Sequence, residues 1–382
     1  MRVAVVDFFA SSILFKDPAQ ITLGLRDLGA DAIYVSRGVL SAGVGDPPFP
    51  LVLDGDLHDR AFWSSLKLDA ALVISRLAPD ARPIIDAIRA CGVRLVLKAD
   101  SDGTLGYPLA PNYLRILDWR AAPVRTLLRT LKWRAPLQHF VRPKLEQIGL
   151  ADAVVIESPG ALANVQRVLA HWKMPALAGR VHFVPNPVAP DIIAAPVPES
   201  REALVAAVGR WDDERPKNTA AMVASLVEFL GTRDDFRAVI IGPGVPLVER
   251  LLADCPAATR TRIEVAGPVD HGRLPAYLGR ARMLLMPSRM ESFGIAAAEA
   301  VCCGCSVVVT PVESLAFLAG GGQSGTVAAG FGAGEIHRAL VDDARKWDQG
   351  SYSPLAIAAR WRAVLDRRVI ASRLLELLQG GA

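Results

Sequence analysis

The sequence predicts an α/β protein with two parallel-sheet domains that face each other across a cleft. Short apolar runs of strand character alternate with helical runs from the first residue onward, which is typical of parallel sheets covered by helices on both faces. The length of 382 residues favours two cores over one. Residues 187–198 contain four prolines and are predicted to link the two series of repeats.

The repeats before this linker predict a Rossmann-like domain over residues 1–188. Strands are predicted at 3–8, 32–35, 69–74, 93–97, 153–156 and 181–184. Helices are predicted at 17–28, 79–90, most of 112–150, and from 159 onward. The Gly- and Pro-rich residues 41–50 are predicted to form a loop.

The repeats after the linker predict a second Rossmann-like domain over 189–354, followed by helices over 355–382 that cross back onto the first domain. Strands are predicted at 203–208, 238–241, 263–266, 283–286 and 306–310. Helices are predicted at 218–230, 246–253, 274–280, 295–303, 335–347 and 354–378.

Composition excludes several classes of protein. Hydrophobic residues make up 51% and charged residues 21%, as in a core-rich globular protein, and the net charge of +4 does not by itself imply nucleic acid. No run approaches the roughly 18 apolar residues of a membrane span, and residues 1–7 read as a strand rather than a signal peptide. Three of the five cysteines crowd at 302, 303 and 305. We therefore expect reduced, buried thiols and a cytoplasmic location.

The most informative stretch is 286–311, which reads as a strand, a loop, a helix and a further strand. Glu291 lies in the loop, and Glu299 lies about one turn into the alanine-rich helix. Open α/β sheets bind ligands at the carboxyl ends of their strands, where free N–H groups and the helix dipole attract anions. This pattern predicts an anion site flanked by two carboxylates, although each glutamate alone could be an ordinary surface acid.

A second loop, 208–218, also joins a strand end to a helix start. Arg210 and Lys217 supply permanent positive charge, and arginine can hold phosphate oxygens in pairs. Three acids stand between these bases, so the loop alone is equally typical of a charged surface. Beside the Glu291 loop in the same sheet, it is predicted to clamp a diphosphate.

Residues 203–311 resemble the C-terminal half of glycosyltransferase family 4, the retaining enzymes of GT-B fold. The matching pieces are V-G-R…K at 208–217, I-I-G-P-G at 240–244, V-A-G-P-V at 265–269 and P-S-R-M-E-S-F-G-I-A-A-A-E-A-V-C-C-G at 287–304. Upstream, R-V-H-F-V-P-N-P-V at 180–188 resembles the strand before the family's domain crossover, with Pro187 in place of the usual glycine.

The resemblance implies that the C-terminal half binds a nucleotide-sugar donor, UDP- or GDP-linked, without a metal or other cofactor. Glu291 would face the sugar hydroxyls and Glu299 the ribose, while Arg210 and Lys217 would neutralise the diphosphate. The remaining donor-site residues, from backbone N–H groups to the neighbourhood of the base, would be Ser292, Phe293, Gly294, Ile295, Val269 and Gly242. By the resemblance, the catalytic residues are Glu291, Arg210 and Lys217.

The sequence departs from the family at two places. The family commonly spaces the basic pair about five residues apart, where Arg215 stands here, so Arg215 and Lys217 are both candidates for the second clamp. The N-terminal half lacks the usual glycine-rich loop after its first strand, and 98–103 (K-A-D-S-D-G) replaces a common histidine. Acceptor identity therefore cannot be inherited from the family.

Asp100 and Asp102 follow the predicted strand 93–97 and would face the cleft. They are candidates for binding acceptor hydroxyls or for taking a proton. Two aspartates before Gly103 are also typical of a simple turn, and both interpretations stay open.

Residues 115–144 form the most basic stretch of the chain, with aromatic residues interleaved. The pattern is typical of a helix that contacts anionic lipid headgroups at the inner membrane face, and equally of a solvated helical face. Nucleic acid is not expected, since no base-reading motif accompanies the charge. The six histidines show no metal-ligand spacing, and no metal site is expected.

The sequence therefore predicts a retaining glycosyltransferase that moves a sugar from a nucleoside diphosphate to an acceptor hydroxyl of a glycan, glycolipid or small-molecule glycoside. One alternative is a GT-B nucleotide-sugar 2-epimerase, which would need paired acid and base groups in the N-terminal half. The other is a non-catalytic nucleotide-sugar binding protein. A dehydrogenase is disfavoured because no G-x-G-x-x-G follows the first strand.

Overall fold

The computed structural model describes residues 1–8, 16–37, 47–53, 55–105, 123–124 and 134–381, the side chains of 134–140 excepted. These residues divide into two compact units. The first comprises Met1–Pro187 with Arg367–Ala382, and the second comprises Val188–Asp366. Each unit is a parallel sheet flanked by helices, so the predicted α/β class with two parallel sheets is confirmed.

The first unit contains a seven-stranded parallel sheet in the order β3-β2-β1-β4-β5-β6-β7. Its strands are β1 (Arg2–Asp7), β2 (Asp31–Ser36), β3 (Leu51–Val52), β4 (Ala70–Ser75), β5 (Arg94–Ala99), β6 (Ala153–Ile156) and β7 (Val181–Phe183). Its helices up to the second unit are α1 (Asp17–Asp27), α2 (Arg60–Ser65), α3 (Arg82–Arg89), α4 (Arg134–Leu150) and α5 (Pro159–His171). The inner strands are apolar and buried, since helices cover both faces.

Two short elements of this unit were not predicted. The two-residue strand β3 is too short to show alternation, and α2 offers only six residues of pattern. The predicted helix over 112–150 is helical at α4, while 106–122 and 125–133 lie outside the described residues. So do 9–15, which hold most of the segment that replaces the family's glycine-rich loop.

The second unit contains a six-stranded parallel sheet in the order β10-β9-β8-β11-β12-β13. Its strands are β8 (Glu202–Val208), β9 (Arg237–Ile241), β10 (Ile263–Gly267), β11 (Ala281–Met286), β12 (Ser306–Val309) and β13 (Gly325–Val327). Its helices are α6 (Pro190–Ala194), α7 (Glu214–Lys217), α8 (Thr219–Thr232), α9 (Val245–Leu251), α10 (Ala257–Arg260), α11 (Leu274–Arg280), α12 (Ile295–Cys302), α13 (Glu313–Leu318), α14 (Ala333–Asp348) and α15 (Pro354–Leu365).

The predicted helix over 354–378 is broken in two. Asp366 has extended backbone and ends α15, after which α16 (Arg367–Gln379) packs on α1 in the first unit. The two helices approach closely at Gly24, where a Cβ atom would lie 2.6 Å from the carbonyl oxygen of Arg367. Arg367 also forms an ion pair with Asp27 at 2.8 Å. The sequence shows continuous apolar spacing across this break, so period alone could not locate it.

Candidate functional site

Two loops meet at the carboxyl ends of the paired strands β8 and β11. The loop after β8 carries Lys217, whose Nζ donates to Glu291 Oε1 in the loop after β11. Ser288 Oγ donates to the same oxygen at 2.9 Å. The side chains of Lys217 and Glu291 are 15% and 13% exposed. Strand pairing thus brings together a cation and a carboxylate that lie 74 positions apart in the chain.

Asn218 joins the two loops through hydrogen bonds. It is 2% exposed and adopts a left-handed conformation (φ 58°) between α7 and α8. Its amide donates to the carbonyl oxygens of Pro287 at 3.1 Å and Phe331 at 2.9 Å. Its own oxygen accepts from Arg289 Nε at 2.9 Å. The position of Lys217 therefore depends on the side chain of Asn218, for which the sequence predicts only a helix start.

The other two basic candidates are placed differently from Lys217. The Arg210 side chain is 70% exposed and pairs with Asp213 at 3.3 Å. Arg215 is exposed as well. Of the three, Lys217 is the one that the structure places against Glu291, and this geometry favours Lys217 over Arg215 as the second clamp.

The N-terminus of α12 lies just after Glu291. Gly294 precedes the helix with φ 92° and provides no side-chain cap. Phe293 is buried in the apolar core, whereas Ser292 and Ile295 are half-buried. The first N–H groups of any helix have no intrahelical acceptor, so this end of α12 offers donors and a positive dipole end.

Gly242 follows β9 and lets a third loop approach the first. Its φ is 122°, and a Cβ atom there would lie 1.9 Å from the carbonyl oxygen of Gly209. At Gly244 a Cβ atom would lie 2.3 Å from the backbone nitrogen of Asp212. Trp211 fills the space beneath and donates its indole N–H to Ile241 O at 2.9 Å. The glycines of this motif are therefore required by the shape of the loop that carries Arg210.

Replacing Gly242 with alanine is expected to lower the free energy of unfolding by about 1–3 kcal/mol, because the added methyl group forces two backbones apart. Urea denaturation monitored by tryptophan fluorescence measures this change. The control is Gly231→Ala in α8, where a Cβ atom meets nothing within 4 Å. That variant should gain up to about 1 kcal/mol, since alanine favours helix. Equal effects of the two substitutions would contradict the close approach at Gly242.

Glu299 lies on the second turn of α12 and is 4% exposed. Its Oε1 lies 2.7 Å from Nε2 of His271, and Nδ1 of the same ring lies 3.2 Å from Asp191 Oδ2. Burial raises the pKa of Glu299, against the lowering influence of His271. Sequence reasoning missed His271 and Asp191. One signal in the sequence could have pointed to His271: it follows the 265–269 motif, at the carboxyl edge of the same sheet. Val269, at the end of that motif, is partly buried.

The two acceptor-side candidates lie in the first unit, after β5. Asp100 pairs with Arg76 at 3.2 Å. Asp102 Oδ1 accepts from the backbone N–H of Thr104 at 2.9 Å and from its hydroxyl at 2.7 Å. Gly103 has φ 77° between them. Asp102 therefore contributes to the turn, and its role in acceptor binding stays a prediction.

A buried ion cluster at the same edge of the first sheet was not predicted. Lys98 at the end of β5 pairs with Asp17 at 3.0 Å and with Glu157, which follows β6. Lys98 and Glu157 are both 1% exposed. Burial lowers the pKa of Lys98, but the two carboxylates outweigh it and the pKa is raised. Burial raises the pKa of Glu157 to about 7 despite the neighbouring ammonium.

The remaining predicted features concern membranes and metals. No helix within the described residues is long and apolar enough to cross a bilayer. Most of 115–144 lies outside those residues, so the membrane-contact hypothesis stays a prediction. Within the described ranges, no group of three His, Cys, Asp or Glu side chains could hold a metal ion. The thiols at 302, 303 and 305 are fully buried, and that of Cys305 donates to Leu278 O at 2.9 Å.

A family model described as Glycosyl transferases group 1 matches residues 202–342. This range contains both loops of the site. We call residues 202–342, which match this family model, the group 1 domain. The resemblance noted from the sequence is thereby confirmed for the segment that carries the group 1 motifs.

Curated relatives agree with this assignment. D-inositol 3-phosphate glycosyltransferase 1 of Catenulispora acidiphila is 31% identical over 125 residues, covering 31% of this chain and 29% of the relative. The D-inositol 3-phosphate glycosyltransferase of Xylanimonas cellulosilytica is 28% identical over 222 residues, covering 48% and 52%. The matches thus span about half the length of these relatives or less. They support the transferase class, and the 2-epimerase alternative is not favoured.

Solved structures confirm the GT-B fold around the group 1 domain. Sucrose-phosphate synthase from Thermosynechococcus elongatus superposes with a TM-score of 0.66 at 16% identity, covering 99% of this chain and 98% of that one. The Anabaena protein Alr3699/HepE, solved in complex with UDP and glucose, gives a TM-score of 0.64 at 13% identity, covering 99% of each chain.

Proposed function

We propose that the protein is a glycosyltransferase that transfers a sugar from a nucleoside diphosphate to an acceptor hydroxyl with retention of anomeric configuration. The observation that carries the proposal is the Lys217–Glu291 pair beside the uncapped N-terminus of α12, inside the group 1 domain. A cation, a carboxylate and free N–H donors at one sheet edge suit a ligand that carries both phosphates and hydroxyls.

Each side chain has a role in the proposed donor complex. The diphosphate lies against the N–H groups of 292–295 and is neutralised by Lys217 and by Arg210, which is exposed and long enough to reorient. Glu291 accepts hydrogen bonds from the sugar hydroxyls, and Glu299 accepts them from the ribose. Val269 and Gly242 border the nucleoside. Anabaena HepE and a trehalose-6-phosphate protein from E. coli were solved with UDP or UDP-2-fluoro glucose, which supports a nucleotide-sugar donor, UDP-linked in the first instance.

In the proposed reaction, the bond between the anomeric carbon and the diphosphate oxygen breaks, and the acceptor oxygen bonds to the same face of that carbon. The leaving diphosphate takes the acceptor's proton. Negative charge grows on the leaving oxygen as the bond breaks, and Lys217, Arg210 and the α12 dipole stabilise it. The basic pair does the work that a metal ion does elsewhere, so we propose a metal-independent enzyme.

The acceptor belongs to the first unit in this proposal, and Asp100 and Asp102 are the candidates there for hydroxyl recognition. A cytoplasmic enzyme with peripheral membrane contact through 115–144 completes the proposal. The basic composition of that stretch supports it.

Thermal denaturation with UDP, GDP, ADP and their sugars tests the donor site. One nucleotide family should stabilise the protein by about 2.7 kcal/mol at a concentration of one hundred times its Kd. Release of free nucleoside diphosphate from the matching sugar nucleotide then separates an enzyme from a non-catalytic binding protein. If no nucleotide raises the Tm at millimolar concentration, the donor-site proposal is wrong. Binding of a sugar nucleotide without turnover, whichever acceptor is supplied, would favour the non-catalytic alternative.

A further inference from the structure

The imidazole of His271 connects three segments of the second unit. It lies in a 3-10 turn, His271–Arg273, and contacts Glu299 on α12 and Asp191 on α6. The side chain of Glu299 is 5% exposed and that of His271 is 16% exposed, whereas Asp191 is 42% exposed. A buried carboxylate is thus held from one side by a ring that is itself held by a second, outer carboxylate.

The two contacts define the protonation state of the ring. A neutral imidazole has one N–H donor, whereas the imidazolium has two. Because each ring nitrogen faces a carboxyl oxygen, both contacts are hydrogen bonds to ionised carboxylates only when the ring is charged. Burial lowers the pKa of His271, but Glu299 and Asp191 outweigh it, and the pKa is raised above 6.5.

We propose that His271 is the positioning residue for Glu299: as an imidazolium it orients the buried carboxylate, keeps it ionised, and so makes it selective for the ribose diol of the donor nucleotide. The inference rests on the proposed function. An ionised carboxylate has about four acceptor positions. One is used by Nε2 of His271, which leaves enough for two adjacent hydroxyls.

The arrangement also predicts how selectivity changes with pH. Above the raised pKa of His271 the ring loses one N–H, and Glu299 loses its counter-charge. Toward acid, the raised pKa of Glu299 means that the carboxylate becomes protonated earlier than an ordinary glutamate. Selectivity for ribose should therefore be greatest between these two limits and fall on both sides.

The other titratable groups near the pair do not alter this expectation. Asp191 faces the ring from α6, while Asp270 and Arg273 flank it on its own segment. Tyr277 and Arg280 are carried by α11, which packs against the turn. The thiols of Cys302 and Cys303 interact with Glu299, and burial raises the pKa of both. The thiols thus stay neutral where His271 titrates.

The test is calorimetric binding of UDP and 2′-deoxy-UDP to the full chain, over a pH series that runs from below to well above the ordinary histidine pKa of about 6.5. If the protein binds a nucleotide with another base, the diphosphate of that nucleoside and its 2′-deoxy analogue are used instead. Losing a hydrogen bond to a charged group should weaken the deoxy ligand on the order of ten- to hundredfold in the wild type. In His271→Gln we expect this ratio to fall to within about threefold of one and to lose its alkaline dependence.

Asp191→Asn is the matched variant, because it removes the outer carboxylate and leaves the ring in place. It should preserve selectivity at low pH and shift the alkaline loss to lower pH, which a merely structural role would not do. It also carries the test if His271→Gln does not fold.

The outcomes separate the two claims. If the wild type binds no nucleotide, the proposed function fails. If the wild type distinguishes UDP from 2′-deoxy-UDP while His271→Gln keeps the same ratio and pH profile, the donor site stands and the inference about His271 is overturned. An unshifted alkaline limb in Asp191→Asn also overturns it.

Discussion

Lys217→Met is expected to lower the rate of sugar transfer by about 10²–10³, the usual effect of removing one group that stabilises a developing oxyanion. Methionine keeps the length and apolar stem of lysine but not its charge. It also leaves Glu291, which is 13% exposed, without the cation it contacts. The measurement is steady-state release of nucleoside diphosphate from the sugar nucleotide, with water as acceptor if no better acceptor is known.

Arg215→Met is the matched control for this prediction. Arg215 lies two positions earlier, is exposed, and occupies the spacing that is more common in family 4. We expect it to change turnover less than threefold, because exposed charges are screened by water and salt. A greater loss in Arg215→Met than in Lys217→Met would reverse the assignment of the clamp.

Calorimetry on Lys217→Met gives a second measurement of the same contact. If this variant binds nucleoside mono- and diphosphate with comparable affinity, the affinity that the second phosphate adds was supplied by the ammonium group of Lys217.

Lys98→Met is expected to lower the free energy of unfolding by about 3–5 kcal/mol, the usual cost of breaking a buried ion pair from one side. Lys98 and Glu157 are each 1% exposed, and Glu157 Oε2 has no hydrogen-bond partner among the described residues. Without the ammonium, the pKa of Glu157 should rise further above about 7, and the glutamate should take up a proton on folding. Urea denaturation at constant m-value measures the loss.

The double variant Lys98→Met with Glu157→Leu should recover most of this loss, since replacing both members of a fully buried pair by apolar groups is often close to neutral. The remaining partner, Asp17, is 19% exposed and keeps contact with water. Lys67→Met, at an exposed lysine of the same unit, should stay within about 0.5 kcal/mol of the wild type. If Lys98→Met behaves like Lys67→Met, the cluster contributes nothing to folding and its burial has another cause.

Local pattern was enough to place Glu291 and Gly294, because strand, loop and helix follow one another within 281–302. The alternation of strands and helices along the chain was likewise enough to predict both sheets. Local pattern does not predict the order of the strands within a sheet. Glu157 follows β6 and Lys98 ends β5, so their contact across 59 positions depends on these two strands being neighbours.

Asn218 and His271 were missed for the same reason. Asn218 reaches Phe331, which is 113 positions away, and His271 reaches Asp191, which is 80 positions away. Asparagine and histidine occur on any surface loop. Only the contacts at the assembled sheet edge distinguish these two residues from ordinary surface residues. The break at Asp366 is a different case: apolar periodicity continues through it, and the helix ends because α16 packs against α1 instead of extending α15.

The placement of α16 has a consequence for biosynthesis. This helix covers one face of the first unit, yet the ribosome makes it only after all of 188–366. The unit that begins first is therefore completed last, while the second unit has all its residues in one uninterrupted segment and can fold as it emerges. Until α16 arrives, the apolar surface of α1 that it covers stays open to chaperones and to other nascent chains.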